Sequence, residues 1–126
     1  MSEQLIIKKT NDGYVILELN GRLVPGGEPE VSDLLKQKVL ELCDAGDIKI
    51  LVDLRNVDYM ASNAIGALMT MYNTVMNHGG KLVLWRPKTY LHDSLKLVRV
   101  DKLLRITSSF DEAMEIFGIE LNVSNE

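Results

Sequence analysis

The chain has few of the residues that mark specialised classes of protein. Of its 126 residues, one is cysteine, three are proline and 6% are aromatic. A lone cysteine, Cys43, cannot form an internal disulfide, which favours a reduced compartment. No apolar run approaches the roughly 20 residues that span a bilayer, and the N-terminus lacks the basic and apolar regions of a signal peptide. We therefore expect a cytoplasmic protein with no direct membrane contact.

Neither sign of charge dominates the sequence. The net charge is −4 and the basic residues are scattered, so the footprint of a nucleic-acid-binding protein is missing. Hydrophobic residues make up 46% and charged residues 25%, which is ordinary globular composition. The length suits one domain that closes a core without metals or disulfides. We predict that this domain covers residues 1–118 and that residues 119–126 form a mobile tail.

Strand-like and helix-like segments alternate along the chain. Asn11-Asp12-Gly13 is a hairpin turn signal between strands predicted at Leu5–Lys9 and Tyr14–Leu19. The nearly continuous apolar run Ile48–Leu54 is typical of a strand covered on both faces. The remaining predictions are a helix from Val31 to about Ala45-Gly46, a helix from about Asn63 to Asn77, a strand at Lys81–Trp85, a helix at Leu91–Val98, an edge strand at Leu103–Ile106 and a helix at Phe110–Phe117 capped by Ser109 or Asp111.

Together these segments predict an α/β fold. Because a strand–helix–strand crossover is almost always right-handed, the strands at 48–54 and 81–85 should be parallel neighbours or near neighbours. We expect a mixed sheet of four to five strands with an N-terminal hairpin, and about four helices packed mainly on one face.

Functional groups of open α/β sheets gather beyond the carboxyl ends of parallel strands. The segment from Arg55 to Ser62 is predicted to be a loop at that place. Ser62 and Asn63 compete for the N-cap of the following helix. Ser62 is therefore either a silent cap or a phosphorylation site, since the amides that accept a cap also accept a phosphate.

The helix after this loop has two apolar sides. One follows helical spacing and is predicted to face the core: Ile65, Leu68, Met69, Tyr72, Val75 and Met76. The other consists of small residues around one methionine: Ala64, Ala67, Met71 and Thr74. This second strip could receive a partner's helix, or the first or third helix could cover it.

Catalysis finds little support in the sequence. His78 and His92 have no neighbours at metal-ligand spacing. Asp53 and Asp58 could hold a cation near Ser62, but a carboxylate after a buried strand is also a common loop anchor. Since no nucleophile–base set can be assembled, we predict a non-enzyme with no catalytic residue, metal or cofactor.

The segment Ile50–Leu54, together with Val57, Tyr59-Met60, Ser62 and Ile65-Gly66, resembles the STAS domain family, and within it the anti-sigma factor antagonists. The resemblance extends from about Leu5 to Met114. By position, Ser62 matches the serine that is phosphorylated in these proteins. Four positions depart from the family pattern: Ala61 replaces an aspartate, Asn63 a second hydroxyl residue, Ala64 a glycine, and Arg22-Leu23-Val24 occupies a usually acidic site.

The resemblance implies a partner switch. The unmodified protein would bind an anti-sigma factor that is also a serine protein kinase, phosphorylation of Ser62 would end the interaction, and a PP2C-type phosphatase would restore it. We expect a monomer or weak homodimer. The residues predicted to meet the partner are Tyr59, Met60, Ala61, Ser62, Asn63, Ala64, Ala67, Met71 and Thr74.

Two other functions remain open. The chain could be a STAS adaptor subunit of a membrane transport ATPase in which the serine is not modified, an alternative that the missing aspartate at Ala61 favours. More distantly, Ser62 and Asp53 could serve a small-molecule-binding or hydrolytic domain.

Overall fold

A five-stranded mixed sheet organises the computed structural model, which describes residues 4–120. The strands lie side by side in chain order: β1 Leu5–Lys9, β2 Val15–Leu23, β3 Lys49–Met60, β4 Lys81–Trp85 and β5 Arg105–Thr107. The predicted hairpin joins β1 and β2 as an antiparallel pair, and all later pairs are parallel. The parallel pairing of β3 with β4 is confirmed.

Helices connect the parallel strands. They are α1 Val31–Asp44, α2 Ser62–Asn77 and α3 Thr89–Leu97, the last followed by a short 3₁₀ turn at Val100–Lys102. A fourth helix, α4 Phe110–Phe117, follows β5. Within residues 4–120, no helix combines the length and apolar character needed to cross a membrane. The predicted fold class is confirmed, and boundaries differ by a few residues at α3 and β5.

The sheet separates two cores of unequal size. The larger core lies between the sheet and helices α1, α2 and α3 and includes the fully buried Leu35, Val52 and Leu68. The smaller lies under α4, where Phe117 and Met114 pack on Leu51 and Val83. Successive residues of a strand point to opposite faces, so Leu51 and Val52 join different cores. This arrangement explains why the sequence of β3 is apolar without alternation.

The turn between α2 and β4 depends on two adjacent glycines. Gly79 has φ of +79°, the left-handed conformation that ends α2. A Cβ on Gly80 would lie 2.0 Å from the carbonyl oxygen of Ile48, which accepts a hydrogen bond from the amide of Lys81. Only glycine lets the chain pass this close to β3.

Strand β3 is longer than predicted. The segment Arg55–Met60, expected to be a loop, continues β3 and pairs with the last residues of β2 through two register shifts. The expectation of a loop was wrong because the polar residues here still pair with β2, and the buried Val57 and Met60 hold the segment to the core.

The predicted tail starts at residue 119, just after the end of α4 at Phe117. Ile119 packs against the smaller core, and its amide donates a hydrogen bond to the carbonyl of Met114. The mobility of a tail from residue 119 stays a prediction. Residues 121–126 lie outside the described part of the chain.

Candidate functional site

The last residues of β3 lead directly to the start of α2. The amide of Ala61 donates to the carbonyl of Leu23 at 2.9 Å, and Met60 beneath it is 5% exposed. Tyr59 points outward, with the guanidinium of Arg22 stacked 4.9 Å from its ring centre. Backbone pairing and a buried methionine therefore fix the approach to residue 62, while an aromatic ring and a cation lie at the surface beside it.

Ser62 is the first residue of α2, and its side chain is exposed. Ala61 occupies the N-cap position, and no side chain caps this helix. The predicted competition between Ser62 and Asn63 for the cap is therefore wrong: Ala61 takes the place because its extended backbone allows its carbonyl to accept from the amides of Ala64 and Ile65. Within residues 4–120, the amides of Ser62 and Asn63 have no acceptor.

Asn63 ties the start of α2 to the start of α1. Its side-chain nitrogen donates to the hydroxyl of the buried Ser32 at 3.2 Å. The other end of the same helix pair is closed by His78, whose Nε2 lies 3.0 Å from the carboxylate of Asp44. The helices thus run side by side and are joined at both ends. Neither contact follows from sequence spacing, because each partner lies more than 30 residues away along the chain.

The buried side of α2 overlaps the predicted one at Leu68 and Val75, both fully buried, but it is turned toward the strip of small residues. Ala64, Ala67 and Met71 are at most 2% exposed and pack in the larger core, where α1 covers them. Their assignment to a partner surface is therefore corrected, as is that of Met60, because these side chains are already covered within the chain. Small alanines at the contact let α1 approach closely. The alternative in which the first helix covers this strip is the one observed.

Of the side of α2 predicted to face the core, Leu68 and Val75 are buried as predicted, and the other four residues are partly open. Ile65, Met69 and Tyr72 are half-buried, and Met76 is 41% exposed. These four residues form a row along the helix that continues the line of Ser62, and we call them the outer row of α2. Both sides of α2 are apolar, so hydrophobic spacing does not indicate which side α1 covers.

The other predicted surface residues divide by burial. Tyr59 and Ser62 are exposed, whereas Ala61, Asn63 and Thr74 are half-buried. The accessible surface near the serine, which we call the serine surface, therefore consists of Arg22, Tyr59, Ala61, Ser62 and the outer row of α2. Arg22 and the outer row are the members that sequence reasoning missed. Pairing of Arg22 with Tyr59 required the extra length of β2 and β3.

The two aspartates considered for chemistry are held in ion pairs. Asp53, 4% exposed, accepts from Arg86 at 3.2 Å and from the amide of Arg55. Asp58 pairs with Lys88 at 2.5 Å, and this contact raises the pKa of Lys88. Asp53 and Ser62 are separated by seven further strand residues, roughly 20 Å at the rise of an extended chain. The arrangement offers Ser62 no general base from Asp53.

This combination defines a class of protein: a mixed α/β domain that presents an uncapped serine at the exposed tip of a helix, beside an aromatic and apolar surface. A family model described as STAS domain matches residues 6–113. The chain belongs to the STAS domain family.

Solved structures of similar proteins include several anti-sigma factor antagonists. A candidate antagonist from Thermotoga maritima, TM1081, is 26% identical, with a TM-score of 0.77 over 90% of this chain and 94% of that one. The Bacillus cell fate determinant SpoIIAA in its phosphorylated form is 13% identical, with a TM-score of 0.66 over 88% of this chain and 96% of that one. A STAS domain protein from Planctomyces limnophilus is 17% identical, with a TM-score of 0.71 over 90% and 97%.

Proposed function

We propose that this protein is an anti-sigma factor antagonist of the partner-switching kind, controlled by phosphorylation of Ser62. Its partner is an anti-sigma factor that is also a serine protein kinase, and a PP2C-type phosphatase reverses the modification in the cytoplasm. The observation that carries the proposal is the exposure of Ser62 at a helix start where it makes no cap hydrogen bond. A serine that stabilises nothing locally is free to be modified.

The chemistry of the helix start supports a phosphate at this position. The free amides of Ser62 and Asn63 and the positive end of the helix dipole favour an anion. The first turn of α2 contains no acidic residue that would oppose it. A phosphate adds about −1.5 to −2 charges at neutral pH, so the isolated protein accommodates it without unfolding.

In the complex with a partner, the phosphate charge has the opposite effect and opposes binding. Binding across Ser62 and the outer row of α2 removes water from the serine, and a surface shaped for a neutral hydroxyl leaves the phosphate without compensation. A penalty of about 3–4 kcal/mol weakens binding by roughly 10²–10³. One added group at Ser62 therefore separates the two proteins while leaving each folded.

The first test compares two substitutions of similar size. We expect Ser62→Asp to weaken binding of the anti-sigma factor at least ten-fold, because its charge imitates part of the phosphate, whereas Ser62→Asn binds within about three-fold of wild type. Calorimetry with the anti-sigma factor captured from native lysate measures both, and intact-mass analysis after incubation with ATP detects one added phosphate on wild type alone. Equal losses by both variants would attribute the effect to side-chain size and contradict the charge mechanism.

A substitution in the outer row of α2 tests the proposed interface independently of Ser62. Met69→Lys places a charge in the proposed interface and should weaken binding at least ten-fold, about 1.4 kcal/mol. Leu40→Lys is the matched control, because Leu40 is an exposed apolar residue on α1 (46%). Unchanged affinity of Met69→Lys, with its thermal melting temperature preserved, would place the interface elsewhere.

A second candidate function rests on Ala61. The family usually has an aspartate there, and its absence removes an acidic group next to the serine, as expected if Ser62 is not a kinase substrate. In that case the protein is an adaptor subunit of a membrane transport ATPase. Co-sedimentation with membranes and lack of phosphate on Ser62 in cells would favour the adaptor over the antagonist.

A further inference from the structure

A cavity opens at the end of the sheet opposite to Ser62. Strand β5 pairs only with Val83–Trp85, so the first two residues of β4, Lys81 and Leu82, extend beyond it. The space left beside them is about 190 Å³. We call it the basic pocket, and it is lined by Tyr72, Met76, Lys81, Leu82, Leu103, Arg105 and Ile116.

The walls of the basic pocket combine apolar and polar surface. Among the lining residues, Leu82 is 2% exposed and Leu103 is 54% exposed. An apolar cavity of about 150 Å³ is large enough to bind benzene in another protein. The basic pocket therefore holds a body of about one six-membered ring.

Two cations at the pocket have no carboxylate partner. Arg105 on β5 pairs with Val83 on β4, and Val83 is two residues from Lys81 along β4. Residues two apart on a strand point to the same face of the sheet, so the side chains of Lys81 and Arg105 lie on one face. Neither makes an ion pair within residues 4–120. Lys49, the neighbour of Lys81 on β3, adds a third positive charge nearby. In a chain with net charge −4, this local excess favours an anion.

We propose that the basic pocket binds a small organic anion made of one ring-sized apolar body and a carboxylate. The ring lies against Leu82 and Tyr72, and the carboxylate faces Lys81 and Arg105. The pocket shares Tyr72 and Met76 with the outer row of α2, but it is remote from Ser62 itself, because Tyr72 lies ten residues along α2 from Ser62, about 15 Å. The proposal does not depend on the proposed function.

Benzoate, benzamide and acetate form the probe set for NMR titration of the ¹⁵N-labelled protein. Benzoate has ring and charge, benzamide only the ring, and acetate only the charge. We expect saturable benzoate shifts at amides lining the basic pocket, a dissociation constant in the millimolar range, and binding of the two comparators at least about three-fold weaker. Intermolecular contacts from the benzoate ring should fall on Leu82 and Tyr72.

Substitution of each cation tests the role of charge. Lys81→Gln and Arg105→Gln should each weaken benzoate about two- to five-fold, the effect of losing a solvent-accessible ion pair. Arg55→Gln is the matched control, since Arg55 is exposed near the other end of the sheet and should leave affinity unchanged. Benzoate that fails to saturate, binds no better than benzamide, contacts residues outside the basic pocket, or is insensitive to both substitutions overturns the proposal. Dispersed amide spectra establish that each variant is folded.

Discussion

Two serines at helix starts differ in what their hydroxyls do. Ser109 is the N-cap of α4, and its hydroxyl accepts from the amide of Glu112 at 3.1 Å. Ser62 lies one position inside α2 and accepts no such bond. The sequence around each is compatible with a cap, but only at Ser109 is the side chain committed to the fold.

Alanine substitutions should separate these roles. Ser109→Ala loses a cap and should lower the free energy of unfolding by about 1 kcal/mol. Ser62→Ala removes no intramolecular bond and should stay within about 0.5 kcal/mol of wild type. Urea denaturation followed by circular dichroism measures both. A loss at Ser62 as large as that at Ser109 would show that Ser62 has a structural role.

At this scale the sequence predicted the place of Ser62 in the fold better than its surroundings. Its position after a buried strand and before an apolar helix was enough to place Ser62 at the start of α2. The neighbours of Ser62 depended on tertiary contacts: Asn63 turned to Ser32, and Arg22 reached Tyr59 across two strands. Such contacts join residues far apart in the chain, and local periodicity carries no information about them.

At the scale of elements, helix positions were predictable and the rotation of α2 was not. Gly79-Gly80 correctly predicted the end of α2, because the left-handed turn and the close approach to Ile48 both require glycine. The rotation goes with the packing of α1 against α2, which buries Ala64 and Ala67 in the larger core. Two apolar sides on one helix give two acceptable orientations, and only the neighbouring helix chooses between them.

The α1–α2 pair also contains a protonation-dependent contact. The two ring nitrogens of His78 both face acceptors, the carbonyl of Thr74 at 2.8 Å and the carboxylate of Asp44 at 3.0 Å. A neutral imidazole has one N–H and satisfies only one of them, whereas the imidazolium satisfies both. The bonds to Thr74 and Asp44 therefore raise the pKa of His78 above 6.5.

The sign of the resulting pH dependence follows directly. Because the folded protein holds this proton more tightly, the contribution of His78 to stability is complete below the unfolded pKa of about 6.5 and is lost as pH rises through the higher folded pKa. We expect the difference in urea midpoint between wild type and His78→Gln to be larger at about pH 5.5 than at about pH 8. Asp44→Asn should reduce this pH dependence, and a difference that grows with pH would contradict the assignment.

At the scale of the whole molecule, alternation of apolar strands and amphipathic helices was enough to predict the fold. The division of the core into two parts was not predictable from composition, because strands that are buried on both faces do not reveal which of their residues contact which helices. Leu51 and Val83 lie under α4, while Val52 and Leu84 face the other three helices. Strands β3 and β4 therefore belong to both cores, and loss of one core should destabilise the other.

Phe117→Ala tests this coupling. The ring of Phe117, 3% exposed and 6.0 Å from that of Tyr14, fills the smaller core, so its removal should cost about 3–5 kcal/mol. Trp85, the single tryptophan, packs against this core, whereas far-ultraviolet circular dichroism reports all helices. If the cores unfold together, both signals shift to the same lower urea midpoint, and Leu97→Ala, at an 84% exposed residue, shifts neither. A tryptophan fluorescence midpoint at lower urea than the circular dichroism midpoint would instead show that α4 unfolds separately. In that case α1, α2 and the sheet would maintain the serine surface without α4.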